Sequence, residues 1–290
     1  MKKLVFVAGM VFALSVSAAE KIKVVTSFSI LADFVAELGG DRVELVNLVG
    51  ADEDAHVYQA TPDDARALLK ADLVIANGLG FEPWLPRLMS STESPATYIE
   101  ASKGVLPIWL EEDGEKVPDP HAWQSLAHAE IYVRNIAGAL AKTDPANADF
   151  YEKQRVSYLE RVRELLVEVR ESLGRLPTAQ RKVITSHDAF GYLGQAYGLT
   201  FVAPQGLSTE SEPSAADVAA LIRQIREDQV RAVFVENIRD PRLMERIAEE
   251  AGATVGGTLY SDALAASGPG SSYLGMYRHN VETLVEALQP

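Results

Sequence analysis

The chain has 290 residues, room for one large domain or two of ordinary size and far more than a stapled mini-protein. It carries 27 Lys and Arg against 41 Asp and Glu, a net charge of −14, which argues against nucleic acid as a partner because such a surface repels phosphate and attracts cations. Cysteine is absent, which removes disulfides, thiolate zinc sites, iron–sulfur clusters and cysteine nucleophiles together.

Residues 1–19 read as a secretory signal peptide. Lys2 and Lys3 precede an apolar stretch too short to span a bilayer comfortably, and Ser17-Ala18-Ala19 offers small residues before a cut at Glu20. No cysteine follows the cut, so a lipid-anchored form is not expected. Removing the segment leaves 25 basic and 41 acidic residues, a net of −16. An exported, cysteine-free chain points to a Gram-negative periplasm, a retained N-terminal anchor being the alternative.

After the signal peptide, strand-like and helix-like segments alternate. Strands are expected at 22–26, 43–49, 73–76 and 97–99, and helices at 30–38, 62–69, 81–89 and 125–141. A second series begins at Val183, with strands near 200–202, 232–235 and 254–259, helices between them, and a closing helix over 273–288. Repeated β-α units predict parallel sheets with helices on their faces, and two such series predict two lobes.

Between the series, Asp144-Pro145 reads as a helix start and Gly174 with Pro177 as its end. Leu159, Val162, Leu166, Val169 and Leu173 form one apolar stripe. A helix of this length is stiff, so it predicts a rigid spine between lobes, the alternative being an ordinary surface helix of one domain. The expected division is signal peptide 1–19, N-terminal lobe 20–143, linker helix 144–176 and C-terminal lobe 177–290.

Five histidines occur. His56 follows the 43–49 strand, His121 sits in Asp119-Pro120-His121 ahead of a helix, and His187 follows the 183–185 strand. Asp262 follows the last strand. In open α/β sheets ligands bind outside the carboxyl ends of strands, which is where these residues fall. Three neutral imidazoles and a carboxylate would complete a tetrahedral Zn²⁺ shell in the cleft between lobes. Taken singly, each histidine reads equally well as a capping or solvated loop residue, and spacing alone does not make them converge. His128 and His279 read as helix residues with structural roles, since the zinc deaminase reading of His128-Ala129-Glu130 requires cysteines. Asp52, Glu53 and Asp54 read either as a solvated loop or as weak cation capture beside His56. Glu236 is placed to orient a ligand histidine or, alternatively, to act as a general base.

The wording of residues 54–62, 77–85, 119–123, 186–192, 197–199, 206–213, 234–241, 259–264 and 273–288 resembles the metal-binding solute receptors of bacterial ABC transporters for zinc, manganese and iron, from about residue 22 to the end. The resemblance implies that His56, His121, His187 and Asp262 are the metal ligands. It points to the zinc branch, since the third position of the manganese and iron branches is commonly Glu. Two features depart from the pattern. The acidic stretch 111–116 has no histidine, and Trp123 is followed by Gln124-Ser125-Leu126.

The expected function is high-affinity capture of Zn²⁺ and delivery to an inner-membrane permease of the ABC type, by a monomer whose metal orders loops more than it swings lobes. A metal-donating periplasmic chaperone is a further candidate partner. Four protein ligands close the shell, whereas catalytic zinc keeps a position for water, so no enzyme is expected. No phosphate-binding Gly-X-X-X-X-Gly-Lys loop, His-Glu-X-X-His or Gly-X-Ser-X-Gly is present. The alternatives are a manganese or iron receptor of the same kind, a zinc-dependent periplasmic hydrolase with Glu236 as base, or an adhesion protein.

Overall fold

A computed structural model of the chain describes residues 20–112 and 114–289. The expected signal peptide lies outside the described residues.

The first sheet is wholly parallel and comprises β1 (Ile22–Phe28), β2 (Val43–Val49), β3 (Leu73–Ala76) and β4 (Thr97–Glu100), in the order β2-β1-β3-β4. β3 is buried at every position, as a parallel strand covered on both faces by helices must be. The covering helices are α1 (Ser29–Gly39), α2 (Pro62–Lys70), α3 (Trp84–Thr92) and α4 (Leu126–Thr143). α2 starts on a reciprocal cap: Thr61 Oγ1 accepts from the Asp64 N–H, and the Asp64 carboxylate accepts from the Thr61 N–H at 2.6 Å. Ser125 caps α4 by accepting from the His128 N–H.

The helix expected from residue 81 begins only at Trp84. Gly78, Leu79 and Gly80 all take left-handed backbone angles, which no right-handed helix continues, and Glu82 is held back as a buried acceptor for the Asn77 N–H. The acidic stretch 111–116 belongs to a hairpin of β5 (Trp109–Glu112) and β6 (Glu115–Pro118). Its proline and four charged positions hid its strand character from propensity alone.

α5 (Ala148–Gly174) follows a short 3₁₀ turn at Pro145–Asn147. Asp144, expected to cap it, instead accepts from Asn147 Nδ2 and from the Tyr151 hydroxyl. Its 27 residues give a rod of about 40 Å. Tyr151, Tyr158, Leu159, Val162, Leu165, Val169 and Leu173 are buried against α1, α4 and the final helix α9 (Tyr273–Leu288).

The second sheet is also parallel. It joins β7 (Lys182–Ile184), β8 (Thr200–Val202), β9 (Ala232–Glu236) and β10 (Thr254–Leu259) in the order β10-β9-β7-β8, with α6 (Gly191–Tyr197), α7 (Ala215–Glu227) and α8 (Arg242–Ala251) between strands. Each sheet reverses its winding once, between β1 and β3 in the first and between β7 and β9 in the second. Crevices open at such reversals, beyond the carboxyl ends of the strands.

The lobes share one hydrophobic core running from Val24 to Leu288, and a smaller cluster around Ile184, Ile225, Val233 and Ile247 lies behind the second sheet. At their junction Phe34 of α1 packs on Tyr273, Tyr158 and Tyr132, with ring centroids 4.6, 5.8 and 6.1 Å away. No helix among the described residues is long and apolar enough to cross a membrane.

Candidate metal centre

Four side chains from four separate loops converge between the sheets. His56 lies in the loop after β2, His121 after the β5–β6 hairpin, His187 after β7 at the reversal of the second sheet, and Asp262 after β10. One donor atom from each lies within 4.8 Å of all the others. The Nε2 atoms of His56 and His121 are 3.3 Å apart. Asp262 Oδ2 is 3.2 Å from His56 Nε2 and 3.1 Å from His187 Nε2, while Oδ1 is 3.5 Å from His121 Nε2. A tetrahedral ion about 2.0–2.1 Å from each donor sets them about 3.3–3.4 Å apart, so the spacing suits one ion.

His187 Nε2 and both Asp262 oxygens are fully buried and make no hydrogen bond. Buried polar atoms without a hydrogen bond are costly, and a cation between them is the arrangement that satisfies all three.

The far sides of two of the rings, those of His121 and His187, are held. His121 Nδ1 lies 2.8 Å from Asp119 Oδ1, which also accepts the His121 N–H at 2.9 Å. His187 Nδ1 lies 2.6 Å from Glu236 Oε2, and Glu236 Oε1 accepts the N–H groups of Ser186 and His187. A carboxylate at Nδ1 fixes the tautomer that leaves Nε2 for a metal. Burial works against charge on His187, but the Glu236 and Asp262 carboxylates outweigh it and hold its pKa well above the ordinary imidazole value. Burial alone would raise Asp262, yet His187 and His121 bring it well below the usual carboxylate range. His56 is held below its ordinary value, chiefly by burial.

A second layer of contacts fixes the loops. The Tyr132 hydroxyl donates to Asn77 Oδ1, Asn77 Nδ2 donates to the Pro120 carbonyl, and the Ser27 hydroxyl donates to Glu82 Oε1. Across the cleft, Trp123 Nε1 and Gln124 Nε2 both donate to the Ser261 carbonyl, at 2.9 and 2.7 Å. The loops of His121 and Asp262 are thereby tied together, which gives Gln124, a departure from the expected pattern, a definite role. Asp52 and Glu53 are exposed and Asp54 is partly buried, and all three accept hydrogen bonds. Asp52 accepts from Asn237 Nδ2 and the Ala266 N–H, Glu53 from the Gly50 N–H, and Asp54 from the His56 N–H and the Thr209 hydroxyl.

Asp119, Gln124 and Thr209 were not singled out from the sequence. The Asp-Pro-His triplet was a local signal for Asp119, but the partners of Gln124 and Thr209 lie 137 and 155 positions away. His128 stacks edge-on against Tyr192 and His279 lies 3.1 Å from the Thr258 carbonyl, both outside the cluster.

The chain is similar to known proteins along most of its length. The manganese ABC transporter substrate-binding lipoprotein PsaA of Streptococcus pneumoniae is 33% identical over 282 residues, covering 94% of this chain and 91% of its own length. The manganese-binding lipoprotein MntA of Halalkalibacterium halodurans is 34% identical over 271 residues, covering 93% and 89%. Among solved structures, the periplasmic zinc binding protein TroA from Treponema pallidum superposes with a TM-score of 0.88 at 30% identity, over 93% of this chain and 100% of that one. The manganese-bound periplasmic metal binding protein from Candidatus Liberibacter asiaticus superposes with a TM-score of 0.83 at 31% identity, over 93% and 100%. The family described as zinc-uptake complex component A, periplasmic, matches residues 24–287. The chain therefore belongs to that family, whose members are periplasmic metal-binding receptors that serve the membrane permeases of ABC transporters and are not enzymes.

Proposed function

We propose that this receptor captures Zn²⁺ through His56, His121, His187 and Asp262 and presents it to an ABC permease for import. The supporting observation is the donor set itself: three imidazole Nε2 atoms and one carboxylate, buried and spaced for a single ion. Imidazole-rich sets favour zinc, copper, iron and nickel, and oxygen-rich ones favour manganese. Manganese is the second reading. It is favoured by the names of the relatives PsaA and MntA and by the way Asp262 turns both oxygens toward the imidazoles, which adds a hard donor.

The working protein on this reading is a periplasmic monomer, exported by residues 1–19, with lobes 20–143 and 177–290 joined by the linker 144–176. A metal-donating chaperone would load it. Competition titration of metal-stripped protein with zinc and manganese at equal concentration tests the metal. Zinc retained even when manganese is then raised to a large excess is expected, and manganese taken up in its place, against the usual order of divalent affinities, would move the assignment to the second reading.

A further inference from the structure

His56 differs from the other three ligands in its contact with solvent. Its side chain is 5% exposed, against 0% for His121, His187 and Asp262. A cavity of about 330 Å³ opens onto it, lined among others by Phe81, Pro118, Leu207, Ser208 and Glu210. Leu207, Ser208 and Glu210 belong to the segment 203–214 between β8 and α7, in the second half of the chain. His56 hangs from a loop of the first half. The cavity is therefore bounded on one side by first-half segments around His56, Leu79–Pro83 and Val117–Pro120 and on the other by Leu207, Ser208 and Glu210 of the second half, with His56 the metal ligand that faces it.

One carboxylate bridges those loops. Asp54 Oδ1 accepts the backbone N–H of His56 at 3.0 Å, and Asp54 Oδ2 accepts the hydroxyl of Thr209 at 2.6 Å. Thr209 is only 3% exposed, although its neighbour Glu210 is on the surface. Arg239 stands behind the pair, with Nη1 3.9 Å from Asp54 Oδ2 and Nη2 donating to Glu212 at 2.9 Å. A short hydrogen bond from a buried hydroxyl to an ionised carboxylate is among the stronger contacts a loop can make.

We infer that the Thr209–Asp54 contact is a latch that closes the His56 end of the loop, whose other end Asp52 already ties to Asn237 and Ala266, against segment 203–214 and sets the rate at which metal leaves. Neither residue touches the ion, so both are positioning residues. Losing the Thr209 hydroxyl leaves the Asp54 carboxylate with the His56 N–H and the more distant Arg239 guanidinium. Its grip on the His56 N–H then loosens at the ligand that faces the cavity. The inference rests on the metal-receptor reading above and adds to it the element that governs release.

Thr209→Val keeps the shape of the side chain and removes the hydroxyl. Full-length receptor loaded with zinc is mixed with excess chelator in a stopped-flow instrument, and dissociation is followed for wild type, Thr209→Val and Thr209→Ser. Dissociation from Thr209→Val about tenfold faster is expected, the size of one hydrogen bond to a charged group. The association rate should stay at its wild-type value, the metal-free melting temperature should fall by no more than a few degrees, and Thr209→Ser should restore slow release. A larger loss of metal-free melting temperature, with association slowed as much as dissociation is quickened, marks a purely structural role and overturns the latch. Wild-type dissociation from Thr209→Val also overturns it while leaving the metal site intact. Failure of wild type to take up either zinc or manganese defeats the receptor reading, and the latch with it.

Discussion

His187 Nδ1 and Glu236 Oε2 lie 2.6 Å apart at the reversal of the second sheet, both side chains fully buried. The carboxylate orients the ring and makes its Nε2 a better donor, while its charge favours a divalent ion over a proton in the same place. Glu236→Gln keeps an oxygen for the Ser186 and His187 N–H groups and removes the charge. Metal affinity should fall about 10–100-fold with the fold retained. Chelator competition checks the affinity and circular dichroism the fold; unaltered affinity would show that the carboxylate has no part in binding.

His187→Ala removes a donor outright. Metal at a thousandfold excess over its dissociation constant stabilises the native receptor by about 4 kcal/mol, roughly 10 °C in melting temperature for a chain of this size. The variant should lose most of that gain. Thermal melts with and without zinc give the answer, and a full-sized shift in the variant would remove His187 from the ligand set.

Acid should release the ion. Burial opposes charge on His187, but Glu236 and Asp262 hold its pKa well above the ordinary value, so a proton competes with metal there at higher pH than at a free imidazole. His56, lowered chiefly by burial, stays neutral and open to metal. Metal and proton compete for the His187 ring, so affinity falls as pH falls, and binding should release protons to the buffer. Calorimetry in buffers of different ionisation enthalpy counts the protons; a count of zero would contradict the assignment.

Glu82 makes a prediction independent of metal. Burial lifts its pKa from 4.5 to about 7 in the fold, against the hydrogen bonds from the Asn77 N–H and the Ser27 hydroxyl. Between those values the folded protein holds a proton that the unfolded chain has lost, so this group's contribution to stability declines as pH rises from about 4.5 to about 7. The decline is worth about 3 kcal/mol across the window. Glu82→Gln retains an acceptor oxygen and should flatten that part of the pH profile, leaving the variant more stable than wild type at pH 8. Urea unfolding at pH 5 and pH 8 measures the difference, and parallel profiles would refute it.

Much of the architecture was legible because it is written locally. The β-branched run of β1, the Thr61-Pro62 start of α2 and the apolar stripe of α5 each carry their own period or cap. The four donors were legible as loop residues beside strand ends, and the family resemblance drew them together. What escaped was long-range or conformational. The left-handed run at residues 78–80 delays α3, and nothing in the residue types of Leu79 announces it. The hairpin of β5 and β6 is built from charged residues that favour other conformations. Asp54, read as solvated or cation-seeking, is committed to a hydroxyl 155 residues away, a pairing only the fold can make.

The hydrophobic core passes without interruption from Val24 through Tyr158 to Leu288. Apart from the smaller cluster around Ile184, Ile225, Val233 and Ile247, neither half can therefore open its interior to water without exposing the other's. Heat or denaturant should melt the protein in a single cooperative step, and a protease cut near Gly174 should yield fragments that cannot stand alone. On the receptor reading proposed above, a waist packed in this way would leave a permease to tell full from empty by the outline of a few surface turns.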